Sequence, residues 1–213
     1  MLTTTRIVMY LIVGVLVTNC VTTLQNLSHS KKEVVNYYES GEYEAELRGI
    51  ISEIKNEFAN YSFSEKDAVI FDVDETSLSN YKYIKSIDFG YESDLWNDYI
   101  LNGNAEPIKP ILELYNWFKD KKVKLIFLTG RTGNTFEATK RNLINDGYNG
   151  FDTLICRNNE TKKLPAHIYK SSERKKLVEK GYNIIANIGD LNSDHLGGYT
   201  GEVIKLPNYI YDF

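Results

Sequence analysis

Five short apolar runs constrain this chain more than any other feature: Ala68-Val69-Ile70-Phe71, Val123 to Leu128, Thr153 to Cys156, Ile184 to Ile188 and Val203-Ile204. Each is too short for a buried helix and rich in β-branched residues, the pattern of a parallel strand covered on both faces. Helix signals lie between them. Pro110 suits a first turn and is followed by Ile111, Leu114, Tyr115 and Phe118 on one stripe. Asn134 and Glu137 have capping-box spacing, Phe136, Leu143 and Ile144 share a side, and Gly147 is placed to end that helix. A third helix is expected from about Ser172 to Lys180, with Gly181 after it. Ahead of the first run, Tyr43, Leu47, Ile50, Ile51, Ile54 and Phe58 recur at spacings of three and four, one face of an N-terminal amphipathic helix. The alternation predicts an α/β fold, a doubly wound parallel sheet with right-handed crossovers, whose ligand site lies beyond the carboxyl ends of the strands. The interval from Ser77 to Lys109 is too long for a simple crossover and reads as an insertion over that site, carrying Tyr81, Tyr83, Phe89, Tyr91, Trp96 and Tyr99.

The 213 residues suit one domain with a modest insertion, preceded by a leader. Arg6 and the apolar stretch Ile7 to Val17 are too short for a membrane span and fit a signal sequence, so the chain is expected to be exported. Leu16-Val17-Thr18-Asn19-Cys20 resembles a lipobox, with Asn19 where a small residue is usual. Lipidation of Cys20 with membrane attachment, and plain cleavage or an uncleaved anchor, both stand open. The expected layout is a leader over 1–23, an N-terminal helical segment over 24–65 and a core over 66–213, with the insertion at about 77–109. A net charge of -4 offers no broad basic field for a nucleic-acid polymer. Cys20 and Cys156 lack the spacing of a metal site or a disulfide framework, and Cys156 closes an apolar run where a buried structural thiol is expected. Asn26, Asn60 and Asn159 stand in glycosylation sequons, relevant in a eukaryotic host.

The chemistry concentrates at the strand ends. Phe71-Asp72-Val73-Asp74-Glu75-Thr76 follows the first run, and residues two apart in an extended segment point the same way. Asp72 and Asp74 would repel unless a divalent cation neutralises them or one holds a proton; the plainer reading is a charged turn capped by Asp74. After the second run, Leu128-Thr129-Gly130-Arg131 offers a hydroxyl and backbone N–H groups to a phosphate oxygen, with Gly130 permitting close approach. After the fourth, Gly189-Asp190-Leu191-Asn192-Ser193-Asp194 places Asp190 and Asp194 to complete a cation site. Lys170, ahead of the third helix, supplies a compact positive charge for a phosphoryl group. Singly, each could be a turn, a loop cap or a solvated lysine. Their occurrence in order at successive strand ends argues for one site.

These residues resemble the haloacid dehalogenase superfamily, and within it the acid phosphatase branch that includes plant acid phosphatases, vegetative storage proteins and bacterial class B and class C enzymes. The stretches carrying the resemblance are Phe71 to Asn80, Leu128 to Arg131, Tyr169-Lys170-Ser171 with Arg174, Gly181-Tyr182, Gly189-Asp190 with Ser193-Asp194, and Lys205-Leu206-Pro207-Asn208. The resemblance implies a magnesium-dependent acid phosphatase acting on small phosphomonoesters, nucleotides among the candidates. It implies that Asp72 attacks phosphorus while Asp74 protonates the leaving alcohol and then activates water. It further implies Mg2+ on the Asp72 carboxylate, the Asp74 carbonyl and Asp190 with Asp194 in support, and phosphoryl oxygens on Thr129 and Lys170. Asn192 stands where related plant sequences carry an aromatic residue, a change expected to alter packing near the metal loop. Two other functions remain: a storage or surface-binding protein on the same fold, and a phosphotransferase. Neither the residues nor the resemblance gives an oligomeric state.

Overall fold

The structure, a computed structural model, describes residues 24–102 and 105–212. The expected leader and Cys20 lie outside the described residues. In chain order the elements are α1 (Leu27–Glu39), α2 (Glu42–Glu57), β1 (Asp67–Phe71), β2 (Leu78–Ser79), α3 (Tyr81–Ser86), α4 (Ser93–Asn102), β3 (Glu106–Pro107), α5 (Lys109–Asp120), β4 (Lys124–Thr132), α6 (Phe136–Asn145), β5 (Thr153–Arg157), α7 (Ala166–Glu179), β6 (Asn183–Gly189), α8 (Asn192–His195) and β7 (Glu202–Lys205). The expected runs become a five-stranded, wholly parallel sheet in the order β5-β4-β1-β6-β7.

Side-chain alternation explains why the central strands read as unbroken apolar runs. Val69 and Phe71 of β1 and Leu125 and Phe127 of β4 enter one core with Leu47, Ile51 and Ile54 of α2 and Ile111, Leu114 and Phe118 of α5. Their neighbours Ala68, Ile70, Ile126 and Leu128 face the opposite layer, against Tyr169 and Leu177 of α7. Both faces are thus covered, as a parallel sheet requires. The insertion is built from α3 and α4, closed at its base by the antiparallel pair β2 and β3.

Two local expectations need correction. The capping box at Asn134 and Glu137 does not form: a 3-10 turn over Gly133–Thr135 precedes α6, Thr135 is the cap residue, and Asn134 Oδ1 instead accepts from the Thr132 hydroxyl. The third helix starts at Ala166, not near Ser172, because Pro165 occupies its N-cap with φ -52°, and proline at a helix start removes an N–H that would be unpaired there. Lys170 therefore sits inside α7. The first helix, α1, has no buried residue and so no apolar stripe for a sequence reading to find; Asn26 caps it by accepting from Ser28 N and His29 N.

Candidate active site

The pairing of β1 with β6 continues one step past the strand, Asp72 N donating to Ile188 O at 2.9 Å. The chain then folds back sharply. Ser77 N and Leu78 N both donate to Val73 O, at 3.0 and 2.8 Å, and the Ser77 hydroxyl donates to Asp72 O at 2.6 Å. Glu75, at φ 52°, occupies the left-handed region despite its Cβ, a strain of about 1–3 kcal/mol. Its buried carboxylate offsets that by accepting from Asn80 N at 2.7 Å, Asn80 Nδ2 at 3.1 Å and the Tyr211 hydroxyl. Burial, reinforced by Asp74, pushes Glu75 up to about 7.

The structure brings four of the sequence-predicted residues together. Asp72, Asp190 and Asp194 are buried, and one carboxylate oxygen from each lies within 4.8 Å of the others. Lys170, reaching from the second turn of α7, places Nζ 2.5 Å from Asp72 Oδ1 and also donates to Asp194 Oδ1. Burial drives Asp72 well above the usual carboxylate range against the opposing pull of Lys170, and raises Asp190 to about 7. Lys170 is held above its ordinary value by Asp194 and Asp72, which outweigh its own burial.

The Asp194 loop is shaped for close approach. A Cβ on Gly189 would stand 2.3 Å from Asp194 Oδ2, so only glycine fits there. Asp194 Oδ2 accepts from Leu191 N at 2.9 Å, and its backbone carbonyl accepts from Arg174 Nη1 and from Asn187 Nδ2 at 3.0 Å. Arg174 is fully buried and also donates to the Gly198 and Leu196 carbonyls. Asp190 is held on both oxygens, Oδ1 accepting from Thr76 Oγ1 at 2.9 Å and Oδ2 from Asn208 Nδ2 at 2.7 Å.

Asp74 turns its carboxylate elsewhere. Arg131 Nε lies 3.1 Å from each of its oxygens and Nη2 2.7 Å from Oδ1, while Asn80 Nδ2 donates to the same Oδ1 at 2.9 Å. Thr129 is fully buried, its hydroxyl accepting from Arg131 N at 3.1 Å, and Gly130 alone of that pair reaches the cavity wall. A Cβ on Gly130 would meet Arg157 Nε at 3.9 Å, an ordinary van der Waals contact.

Asp72, Asp74, Gly130, Lys170, Asp190 and Asp194 form the floor of a cavity of about 520 Å³. Tyr83, Phe89, Tyr91 and Trp96 of the insertion and Ile210 and Tyr211 of the segment after β7 wall it. Tyr99 stacks behind Tyr83 at 4.2 Å, and Tyr81 packs away from the cavity on Tyr38 at 4.9 Å. Sequence reasoning assigned no role to Glu75, Asn80, Arg131 or Tyr211, whose contacts depend on the tertiary path. For Glu75, Asn80, Arg131 and Asn208 the one signal was a place in the stretches that carry the resemblance.

The donor set suits a hard divalent cation, since all three clustered ligands are carboxylate oxygens. Fully ionised, three carboxylates against one ammonium leave a buried net charge of -2, which one such cation would neutralise. A family model described as HAD superfamily, subfamily IIIB (Acid phosphatase) matches residues 15–213. The "Stem 28 kDa glycoprotein" of Glycine max is 39% identical over 152 residues, covering 68% of this chain and 60% of that protein. "Acid phosphatase 1" of Solanum lycopersicum is 37% identical over 150 residues, 68% and 59% of the two chains. "Vegetative storage protein 1" of Arabidopsis thaliana is 36% identical over 146 residues, 67% and 54%. The matched regions thus span between half and three fifths of these relatives. Among solved structures, the class C acid phosphatase from Bacillus anthracis superposes with a TM-score of 0.71 at 19% identity, covering 87% of this chain and 86% of that one.

Proposed function

Because the chain belongs to subfamily IIIB of the HAD superfamily, the acid phosphatases, we propose that it is a phosphomonoesterase working through a phospho-aspartate on Asp72. The observation that carries this reading is the Asp72 carboxylate at the cavity floor, 2.5 Å from a buried lysine and clustered with Asp190 and Asp194. An Asp72 carboxylate oxygen attacks phosphorus, the P–O ester bond breaks, and the departing oxygen takes its electron pair and a proton from Asp74 to leave as an alcohol. Water then attacks the same phosphorus, giving a proton to Asp74, and the bond to Asp72 breaks to release phosphate and restore the carboxylate. Asp74 Oδ2 is the oxygen for that proton traffic, since among the described residues it accepts only from Arg131 Nε, whereas Oδ1 has three contacts. Lys170 and the backbone at Gly130 hold the phosphoryl oxygens.

Asp72, Asp190 and Asp194, with the Asp74 backbone carbonyl, would hold Mg2+. That ion supplies charge neutralisation for the phosphoryl group and for the buried carboxylates. Lys170 bridges Asp72 and Asp194, its ammonium offsetting the repulsion between the two carboxylates. The aromatic wall favours small esters with a planar leaving group, nucleotides included, and the negative net charge disfavours a nucleic-acid polymer. Export through residues 1–23, ahead of a helical segment over 24–65 and a core over 66–213, belongs to the same proposal. Among the described residues no helix is long and apolar enough to cross a membrane.

The test is turnover of p-nitrophenyl phosphate by residues 24–213, with magnesium or with chelator, beside Asp72→Asn. Magnesium-dependent hydrolysis that Asp72→Asn abolishes is expected. A folded wild-type protein inert at acidic and neutral pH toward several esters would instead favour the storage reading that the vegetative storage relative motivates.

A further inference from the structure

The segment that follows β7 leaves the sheet edge and runs into the active centre. Leu206 N donates to Gly189 O at 2.8 Å, which carries the β6 pairing one residue beyond the strand. Two residues later the side-chain amide of Asn208 donates to Asp190 Oδ2 at 2.7 Å. That amide cannot turn freely, because its own oxygen accepts from Ile210 N at 2.8 Å and Tyr211 N at 3.4 Å. The donor on Asp190 is thereby aimed by the backbone of its own segment. The other oxygen of Asp190 is held from the opposite side by Thr76 Oγ1 at 2.9 Å. A carboxylate with one neutral donor on each oxygen has its plane fixed and keeps a lone pair on each oxygen for a further partner.

Resting on the cation reading above, we propose that Asn208 is a positioning residue that fixes the Asp190 carboxylate for a divalent cation. Asn208 touches neither the phosphoryl group nor the reacting oxygens; it acts through Asp190. The segment has independent anchors, since Leu206 is fully buried and the Tyr209 ring meets Tyr37 at 4.8 Å. Removing the Asn208 amide therefore removes the donor to Asp190 and the acceptor for Ile210 N and Tyr211 N, while Leu206 and Tyr209 still hold the segment. Asn208 is itself partly exposed, so its replacement leaves the core intact.

The experiment is calorimetric titration of residues 24–213 with Mg2+ alone, without substrate, on the wild type, Asn208→Leu, Asn208→Ala and Tyr209→Ala. Loss of a group that orients a metal ligand weakens binding by about 10-fold or more, and this is expected for both Asn208 variants. Tyr209→Ala, which loosens the segment without touching Asp190, is expected to bind Mg2+ as the wild type does. Wild-type affinity in Asn208→Leu and Asn208→Ala overturns the proposal. So does an equal loss in Tyr209→Ala, which would make anchoring of the segment, and not the amide, the cause. A wild-type protein that binds no Mg2+ overturns the cation reading itself and this proposal with it, a result distinct from the other two.

Discussion

Replacing Arg131 with methionine isolates the ion pair that fixes Asp74. The Arg131 side chain is 2% exposed and that of Asp74 18%, so the pair is nearly buried. Arg131→Met removes all three guanidinium contacts and leaves Asp74 with Asn80 Nδ2 at 2.9 Å as its remaining side-chain donor. Stranding one partner of a buried pair costs about 3–5 kcal/mol, and the residual exposure of Asp74 together with Asn80 puts this case near the lower bound, about 3 kcal/mol. For a chain of this length that corresponds to a fall in Tm of about 6–12 °C. Asp74→Asn strands the guanidinium instead and should cost a similar amount, while the double variant strands neither charge. The double-mutant cycle should then return a coupling of about 2 kcal/mol. Urea unfolding with chelator present, followed by tryptophan fluorescence, measures all four proteins. A coupling below about 0.5 kcal/mol would mean that the pair is not formed in solution, and the orientation given to Asp74 would fall with it.

Two further outcomes are expected. Trp96→Ala should lower kcat/KM for nucleoside monophosphates by about 10-fold, the order of one lost base–aromatic stack, and leave glycerol phosphate hydrolysis unchanged; equal loss on both would assign Trp96 to packing. Burial raises the Cys156 thiol from 9.0 to about 11, so alkylation of residues 24–213 at pH 8 should be about 100-fold slower in the folded protein than in the unfolded one. Because this folded pKa lies above the unfolded one, the thiol's contribution to stability is complete below pH 9 and is lost as pH rises toward 11. Cys156, expected to be buried, is only partly so, and equal alkylation rates in both states would contradict the upward shift of its thiol.

The sheet was legible because its strands are buried on both faces. Val69 and Phe71 serve one core and Ala68 and Ile70 the other, so no polar residue interrupts the run. Asp72 and Asp190 were legible because each follows a strand whose position the alternation already determines, whereas Lys170 and Asp194 lie inside α7 and α8 and were read from their order along the chain and the resemblance. The start of α7 was misplaced since Pro165 decides it and no apolar stripe marks its first turns. The hold of Arg131 on Asp74 and that of Asn208 on Asp190 join residues 57 and 18 apart. No local periodicity encodes such contacts. The insertion was legible as length plus aromatic content, but which rings face the cavity depends on how α3 and α4 pack.

The strand order β5-β4-β1-β6-β7 also dictates when the site can exist during synthesis. The central strand is made first, yet one of its two flanks, β6, comes more than a hundred residues later, pairing Asp67 with Asn183. Lys170 reaches Asp72 across 98 residues, Thr76 reaches Asp190 across 114 and Tyr211 reaches Glu75 across 136. Contacts of such high order close large chain loops before any of them is rewarded, so they form late in folding. A nascent chain released only as far as β5 carries Asp72 without Lys170, Asp190 or Asp194 beside it. The buried cluster therefore assembles only after β6 and the turn that follows it have left the ribosome.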